Sequence, residues 1–257
     1  MPHDPGTVKL VGAGPGAADL LTLRAARAIE DAQALLYDAL VCDEVVALAP
    51  AACVKIQTGK RAGRASMKQE TINRLMLRLA RRGLRVVRLK GGDPSVFGRV
   101  GEEQAFLNAH GVATEVVPGV TAASAAAAQF GFPLTHRGEA RRLVFATATT
   151  RDGTLTDTGW AADREATLAF YMGRNQLPAL AARLVAQGRS PDTPVMAVEN
   201  AGRADARAMP GRLGDLGQAL AAVGCEGPVV VVVGEAVAHA AAFSDLEVPA
   251  TPVEARS

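Results

Sequence analysis

The sequence predicts an α/β protein made of two α/β domains. Short apolar strand segments alternate with amphipathic helical segments, their connections are short, and glycine-rich turns follow several of the strands. This alternation is typical of a largely parallel sheet covered by helices on both faces. The 257 residues are enough for two modest α/β units with a sizeable core.

Five strands are predicted in the first half of the chain. They are VKLVG from Val8, ALLYD from Ala34, CVKIQ from Cys53, RVVRLK from Arg85 and ATEVV from Ala113. Helical segments separate them, and the clearest is QETINRLMLRLARRG. Here Ile72, Leu75 and Leu79 are apolar at helical spacing, arginines occupy the other face, and Gly83 ends the pattern.

The character of the sequence changes near PLTHRGEARR, at 133–142. We therefore expect an N-terminal domain over 1–136, a C-terminal domain over 137–243, and a flexible tail over 244–257. The predicted strands of the second domain are LVFATA, TLAFYM, PVMAVEN and PVVVVVGEA, and helices are expected near 176–187 and 214–222.

Composition and targeting signals exclude several classes of protein. A net charge of +2 argues against a general nucleic-acid binder. The three cysteines have neither a disulfide-framework nor a zinc-ligand spacing, so we expect no metal and a reducing cytoplasm. The N-terminus has no apolar signal core, and the longest apolar run, Val229 to Val233, is too short for a bilayer.

The stretch from Lys55 to Lys90 is strongly basic, with Glu70 as its single acid. A field of one sign favours an anionic ligand or partner nearby. Some of these cations are expected only to face solvent, because they lie along the predicted helix: Arg74, Arg78, Arg81 and Arg82.

Six unusual loop regions follow predicted strands, with YD and TGKR counted as one region. In open α/β sheets ligands collect at the carboxyl ends of the strands, so these loops together predict a composite ligand pocket. They are GAGPG (12–16), YD and TGKR (37–38 and 58–61), KGGDP (90–94), PGVTA (118–122), YMG (171–173) and ENAG (199–202).

A dinucleotide site is the alternative for the first loop. GAGPGA nearly fits G-x-G-x-x-G/A, and Asp38 after the second strand resembles a ribose ligand. However, Pro15 removes a backbone donor where a phosphate needs one, and the helix begins only near Thr22.

Several motifs occur in the order typical of one known family. They are GAGPGAADLLT, YDALV, GKRAG, RLKGGDPSVFGR, VVPGVTAA, PLTHR, FYMG and VVVVGEAV, which together cover about residues 7 to 240. In these motifs the chain resembles the tetrapyrrole methylases. YDALV, GKRAG and the full GGDPSVFGR block resemble the branch that methylates uroporphyrinogen III.

The resemblance implies an S-adenosylmethionine site in the cleft between the two domains. Glycines at such a site let a ligand approach the bare backbone. From the residues alone, Asp93 is equally well interpreted as a turn cap, whereas Met172 is better interpreted as a core residue. The donor-binding positions that the resemblance implies are Pro15, Gly91, Gly92, Asp93, Val96, Thr121, Ala122, Met172, Ala201 and Val229.

The resemblance further implies two C-methylations that convert uroporphyrinogen III to precorrin-2 and release S-adenosylhomocysteine. Asp38 and Lys60 match the proposed proton acceptor and donor, although a simple ion pair between two loops explains them equally well. Arg61, Arg64 and Arg99 are candidates for binding substrate carboxylates. His136 is expected to have a structural rather than a catalytic role.

Relatives of this kind imply a homodimer, and later steps toward sirohaem are expected to need another protein. A methylase acting on a later precorrin and a non-catalytic binding module remain as alternatives. The sequence departs from the family pattern at Ala65, Val100, 146–150 and Gly202, which affects the acceptor side more than the donor loops.

Overall fold

The computed structural model describes residues 6–59, 67–148, 162–173, 176–216 and 224–244. It divides into two compact units. The first comprises Met1–Ala125 together with Gly202–Asp205, and the second comprises Ala126–Ala201 together with Ala206–Ser257. The predicted division at 136 and 137 stays a prediction, and the predicted tail beyond residue 244 lies outside the described residues.

All five predicted strands of the first half form one parallel sheet in the order β3-β2-β4-β1-β5. Because β1 pairs with β4 and β5 in parallel, and β2 pairs with β3 and β4 in parallel, all five carboxyl ends lie at one edge. The strands are β1 (Val8–Gly12), β2 (Ala34–Tyr37), β3 (Val54–Gln57), β4 (Val86–Lys90) and β5 (Thr114–Val117).

Helices cover both faces of this sheet, as predicted. One core contains Ala25 and Ile29 of α1 and Val45 of α2 against sheet residues such as Leu35. The opposite core contains residues of α3 and α4, such as Met76 and Leu107, against Leu10 and Leu36. The helices are α1 (Leu23–Glu30), α2 (Asp43–Ala47), α3 (Gln69–Ala80), α4 (Val100–Ala109) and α5 (Ala122–Phe130).

The second unit contains a mixed sheet in the order β6-β7-β10-β8-β9. Only β6 and β7 pair in parallel, while β10 runs antiparallel to β7 and β8, and β9 antiparallel to β8. The largely parallel arrangement is therefore confined to the first sheet. Its strands are β6 (Arg142–Thr147), β7 (Ala166–Tyr171), β8 (Pro194–Glu199), β9 (Arg207–Arg212) and β10 (Val229–Val233).

The sequence of β10 does not reveal its antiparallel direction. All five residues of β10 are buried because the strand lies between β7 and β8, and a fully apolar strand is usually a parallel one. Strand β9 was not predicted, because RAMPGR contains proline and glycine and has no apolar alternation; such a sequence is tolerated at a sheet edge.

The helix predicted near 176–187 is present as α6 (Leu177–Ala186). Of the helix predicted near 214–222, the described part is a short 3₁₀ helix at Leu213–Asp215. A further 3₁₀ helix, Glu235–His239, precedes a one-turn helix at Ala241–Ser244. Among the described residues, no helix is both long enough and apolar enough to cross a membrane.

Candidate functional site

The candidate site is the edge of the first sheet where its five strands end. The loop after β1 is joined to the loop after β4 by three backbone hydrogen bonds. The Ala13 N–H donates to the Lys90 carbonyl at 2.7 Å, and Gly14 and Gly92 exchange N–H···O bonds of 3.2 and 2.7 Å. Two loops that are far apart in sequence therefore form one surface.

Glycines are required where these loops meet the loop after β5. A Cβ on Gly12 would lie 2.7 Å from both the Gly119 Cα and the Gly92 carbonyl oxygen. A Cβ on Gly119 would lie 2.3 Å from the same Gly92 oxygen. Both distances are far below van der Waals contact, and the atoms met belong to the backbone, so no side-chain rotation relieves them.

Gly92 differs from these two glycines. Its φ of +69° lies in the left-handed region that favours glycine, and a Cβ built on it meets nothing closer than 4.0 Å, at Thr121 and Val120. Gly92 is half-buried and its N–H and carbonyl are both bonded to Gly14, but the space that a side chain would fill, beside Thr121 at the start of α5, is open. This is the side from which a ligand can reach the backbone.

Asp38 connects the loop after β2 to the loop after β4. Its Oδ1 accepts a hydrogen bond from the Leu40 N–H at 3.1 Å, and its Oδ2 accepts one from the Gly91 N–H at 3.1 Å. The side chain is half-buried at the carboxyl edge. The alternative ion pair involves Lys60, which lies outside the described residues, as do Arg61 and Arg64.

Asp93 caps a turn and also joins two loops. Its Oδ1 accepts a hydrogen bond from the Ser95 N–H at 2.7 Å and another from the Ser95 hydroxyl, while Oδ2 accepts one from the Gly119 N–H at 2.9 Å. The turn-cap interpretation therefore describes what Asp93 does within the protein. Oδ2 accepts only one hydrogen bond here and so keeps acceptor capacity for a ligand.

Pro15 packs against the segment Gly202–Asp205, which belongs to the first unit. A Cβ on Gly202 would lie 2.3 Å from the Pro15 Cγ, and Gly202 has a φ of +79°. The Gly202 carbonyl accepts a hydrogen bond from the Ala17 N–H at 2.8 Å. Glycine is thus required at this position, which accounts for one departure from the family pattern.

The loop after β1 is not a dinucleotide-binding turn. It is long, because α1 begins only at Leu23, with Thr22 as the N-cap whose Oγ1 accepts a hydrogen bond from the Ala25 N–H at 3.1 Å. A 3₁₀ helix at Ala18–Leu20 separates the glycines from α1. The tip of α1 is therefore not next to them, as a phosphate-binding fingerprint requires.

Arg99 is bound by a neighbouring acid. Its guanidinium makes two hydrogen bonds to the Glu102 carboxylate, of 2.8 and 2.6 Å, and this pairing raises the pKa of Arg99. Its φ is +58°, and the nearby Phe97 has a φ of +55°. Val96 lies in the same segment and donates its N–H to the Asp93 carbonyl at 3.2 Å.

A buried charged cluster includes Lys90, the residue directly before the GGDP loop, and was not predicted from the sequence. The Glu103 carboxylate, which is fully buried, binds the Arg88 Nε at 3.2 Å and the Lys90 Nζ at 3.2 and 3.1 Å. Gln69 Nε2 donates to the same carboxylate at 2.9 Å. Burial, and next the neighbouring Arg88, lower the pKa of Lys90, and Glu103 partly opposes the shift.

The arginines in α3 and directly after it are exposed, as predicted. Arg74, Arg78, Arg81 and Arg82 are all exposed, and Arg74 pairs with Glu70 on the same helix. Two further cations of the basic stretch, Arg88 and Lys90, are instead buried. They were missed because a charge run usually marks a solvated face.

The predicted residues of the second unit lie at the ends of neighbouring strands. Met172 follows β7, is 62% exposed and has a φ of +56°, so it is not a core residue. Ala201 is buried, and Val229 is buried in the core of the sheet. Asn200 has a φ of +54°. Left-handed conformations at non-glycine residues cluster at functional sites, which agrees with the choice of these loops.

Glu199 anchors the ENAG loop. Burial disfavours its carboxylate, but hydrogen bonds from the Gly227 N–H at 2.6 Å, from Arg207 and from the Glu226 N–H at 2.7 Å outweigh that effect and lower the pKa of Glu199. Since the folded-state pKa is depressed, this contribution to stability is complete above the unfolded glutamate pKa. It is lost as the pH falls through the folded-state value.

Replacing Glu199 with glutamine is therefore expected to cost about 2 kcal/mol of unfolding free energy at neutral pH, since the charge-assisted hydrogen bonds are weakened. The cost should shrink as the pH falls below about 4. Denaturant titrations over this range check it, with Asp192→Asn as a control on an exposed carboxylate. A cost that does not depend on pH would contradict the assignment.

The fold and the edge define a class of protein. An all-parallel sheet with glycine-rich loops and two carboxylates at its carboxyl edge belongs to an α/β protein that binds a small molecule there. The family model for tetrapyrrole (corrin/porphyrin) methylases matches residues 7–217. The chain belongs to this family, as its motifs indicated.

Solved structures and curated relatives that are similar to this chain agree with the family assignment. The uroporphyrin-III C-methyl transferase of Thermus thermophilus, in complex with S-adenyl homocysteine, is 44% identical; the match covers 90% of this chain and 99% of that one, with a TM-score of 0.79. A cobalt precorrin-4 methyltransferase is 28% identical over 90% of this chain and 95% of its own, with a TM-score of 0.81. Siroheme synthase of Pseudomonas paraeruginosa is 47% identical over 235 residues. The chain spans about half the length of the curated relatives it matches.

Proposed function

We propose that this chain transfers methyl groups from S-adenosylmethionine to two pyrrole carbons of uroporphyrinogen III, which gives precorrin-2 for sirohaem or cobalamin synthesis. The observation that carries the proposal is the similarity to the Thermus thermophilus enzyme over 99% of that chain. It is supported by the retention of the motifs YDALV, GKRAG and GGDPSVFGR, which resemble the uroporphyrinogen branch.

The carboxyl edge of the first sheet fits the methyl donor. S-adenosylmethionine supplies an electrophilic methyl group on a cationic sulfonium. Gly92 leaves open space where a side chain would stand, and Asp38 and Asp93 place two carboxylates beside it, whose negative charge suits a cation. We include Gly91, Pro15, Val96, Thr121 and Ala122 in this part of the site.

The positions proposed in the second unit are Met172, Ala201 and Val229. Met172 suits a ligand contact best, because it is exposed and held at positive φ, a combination that packing alone does not require. Val229 is the least suited to a ligand contact, because its side chain is already buried in the core of its own sheet.

The acceptor carries many carboxylates, so its site needs cations. We propose Arg61, Arg64 and Arg99 for this role, with Lys60 as a proton donor. Arg99 is already paired with Glu102, so a substrate carboxylate must replace that partner. Both Arg99 and Glu102 are largely exposed, so the exchange costs little desolvation.

Asp38 is proposed to accept the proton that the methylated ring system loses. We expect Asp38→Asn to lower the methyl-transfer rate by about 10²- to 10⁴-fold, since a positioned base contributes that much. Donor binding should change far less, because the amide oxygen still accepts one of the two backbone hydrogen bonds. Single-turnover methylation, with S-adenosylhomocysteine affinity measured in parallel, separates the two effects.

Asp31→Asn is the matched control, because Asp31 is exposed at the C-terminal end of α1. Equal losses in donor affinity and in rate for Asp38→Asn would show that Asp38 only supports the loop.

The reaction itself is tested with labelled S-adenosylmethionine and enzymically generated uroporphyrinogen III. Transfer of two methyl groups per macrocycle is the expected result. Transfer only to a later precorrin would favour the second candidate function, methylation of a later precorrin. The similarity to a cobalt precorrin-4 methyltransferase is the observation that favours this candidate. Donor binding without transfer to either acceptor would favour a binding module.

We also propose a cytoplasmic location and a homodimer. The location is supported by Cys42, Cys53 and Cys225, which are all free thiols. The homodimer rests on the family resemblance alone, and sedimentation equilibrium of the purified chain tests it.

A further inference from the structure

Two histidines and a glutamate that have no assigned part in methyl transfer come together in the second unit. His136 lies in a turn closed by two backbone hydrogen bonds with Ala140, of 3.0 and 2.9 Å. Glu139 lies in the same turn, and His239 is the last residue of the 3₁₀ helix Glu235–His239. Glu139 and His239 are 100 positions apart, so no sequence spacing announces the cluster.

The donor atoms are arranged around one point. Glu139 Oε2 lies 2.9 Å from His239 Nε2 and 3.6 Å from His136 Nδ1, and all three ligand atoms lie within 4.8 Å of one another. Zinc bonds of about 2.0–2.1 Å in a tetrahedral site separate neighbouring ligands by about 3.3 Å. The two shorter distances lie on either side of that value, so small side-chain rotations suffice.

One ring nitrogen of His136, Nδ1, is buried and has no hydrogen-bond partner among the described residues. The Glu139 oxygen at 3.6 Å is too far away to accept a hydrogen bond from it. A buried ring nitrogen without a partner costs free energy. The two imidazole rings also stack, with centroids 4.1 Å apart, and both lie beside the same Glu139 carboxylate.

We propose that His136 Nδ1, Glu139 Oε2 and His239 Nε2 form a binding site for a divalent transition metal, with Zn²⁺ as the expected occupant. Two imidazoles and a carboxylate suit zinc and its neighbours better than magnesium or calcium. The side chains are 39–41% exposed, so an ion can enter and a water can complete the coordination. The metal would fasten the turn at 136–140 to the 3₁₀ helix.

Isothermal titration of the tag-free, metal-stripped chain with zinc chloride tests the proposal. We expect one zinc per chain at this site. His136→Gln and His239→Gln should each weaken zinc binding by more than about 100-fold, which is the most that the loss of an outer-shell partner costs. His110→Gln is the matched control, because His110 lies at the end of α4 and is bonded to the Phe106 carbonyl. Magnesium chloride should give no binding.

Two further readouts separate ligation from a merely structural effect. Cobalt(II) should give visible absorption typical of nitrogen and oxygen ligands, without a thiolate charge-transfer band, and Glu139→Gln should alter it. Zinc should raise the melting temperature of the wild type and of His110→Gln but not of His239→Gln. Zinc affinity unchanged in His136→Gln or His239→Gln, or a cobalt thiolate band, would overturn the proposal. Neither outcome depends on methyl transfer.

Discussion

Replacing Gly119 with alanine is expected to weaken S-adenosylhomocysteine binding by about 100-fold or more. The new Cβ would lie 2.3 Å from the Gly92 carbonyl oxygen, and 2.9 Å from the Gly12 Cα. Because these neighbours are backbone atoms, the loops after β1, β4 and β5 must separate. A displacement of about 1 Å at a binding site is enough to cost a factor of this size.

Gly101→Ala is the matched control for this variant. Gly101 lies in α4, and a Cβ there meets nothing within 4 Å, so alanine is expected to leave binding intact and to stabilise the helix slightly. Calorimetric titration of both variants gives the comparison, and circular dichroism checks that Gly119→Ala is folded. A folded Gly119→Ala chain with wild-type affinity would show that the donor does not use this junction.

Replacing Glu103 with glutamine is expected to destabilise the protein by about 3–5 kcal/mol. Removing the carboxylate that binds Arg88 and Lys90 leaves these two buried cations without an ion-pair partner among the described residues. For a chain of this size the melting temperature should fall by about 10 °C. Glu102→Gln, which breaks an exposed pair with Arg99, should change it by about 2 °C or less.

The pH dependence of the melting temperature of Glu103→Gln tests whether the buried cations cause the loss of stability. Glu103 opposes the lowering of the Lys90 pKa, so its loss lowers that pKa further below the unfolded value. Between the two values the unfolded chain binds more protons, and stability rises with pH. The difference in melting temperature between wild type and Glu103→Gln should therefore narrow from pH 7 to pH 9. A difference that is constant or widens would mean that buried cations are not the reason.

Local patterns were sufficient for the first sheet. Each strand from β1 to β5 is a short apolar run bounded by a helical pattern, and short crossovers between strands produce parallel neighbours. In the second sheet the direction of β10 depends on long connections, which leave no local signal. A valine run is compatible with either direction once the strand is central.

The candidate site was predictable in its residue types but not in its contacts. Glycines and carboxylates after strands identify the edge, whereas the pairing of Asp38 with the Gly91 N–H, or of Asp93 with the Gly119 N–H, depends on strand order. The buried cluster did leave a signal. Arg88 and Lys90 alternate with apolar residues in β4 and so share one face, which requires a counter-ion.

The most direct test is a calorimetric titration of the wild-type chain with S-adenosylhomocysteine. The account predicts one site per chain whose affinity falls by about 100-fold in Gly119→Ala and is kept in Gly101→Ala. If the wild-type chain is folded under the conditions of the titration and still shows no measurable binding of S-adenosylhomocysteine, the proposed donor site is contradicted.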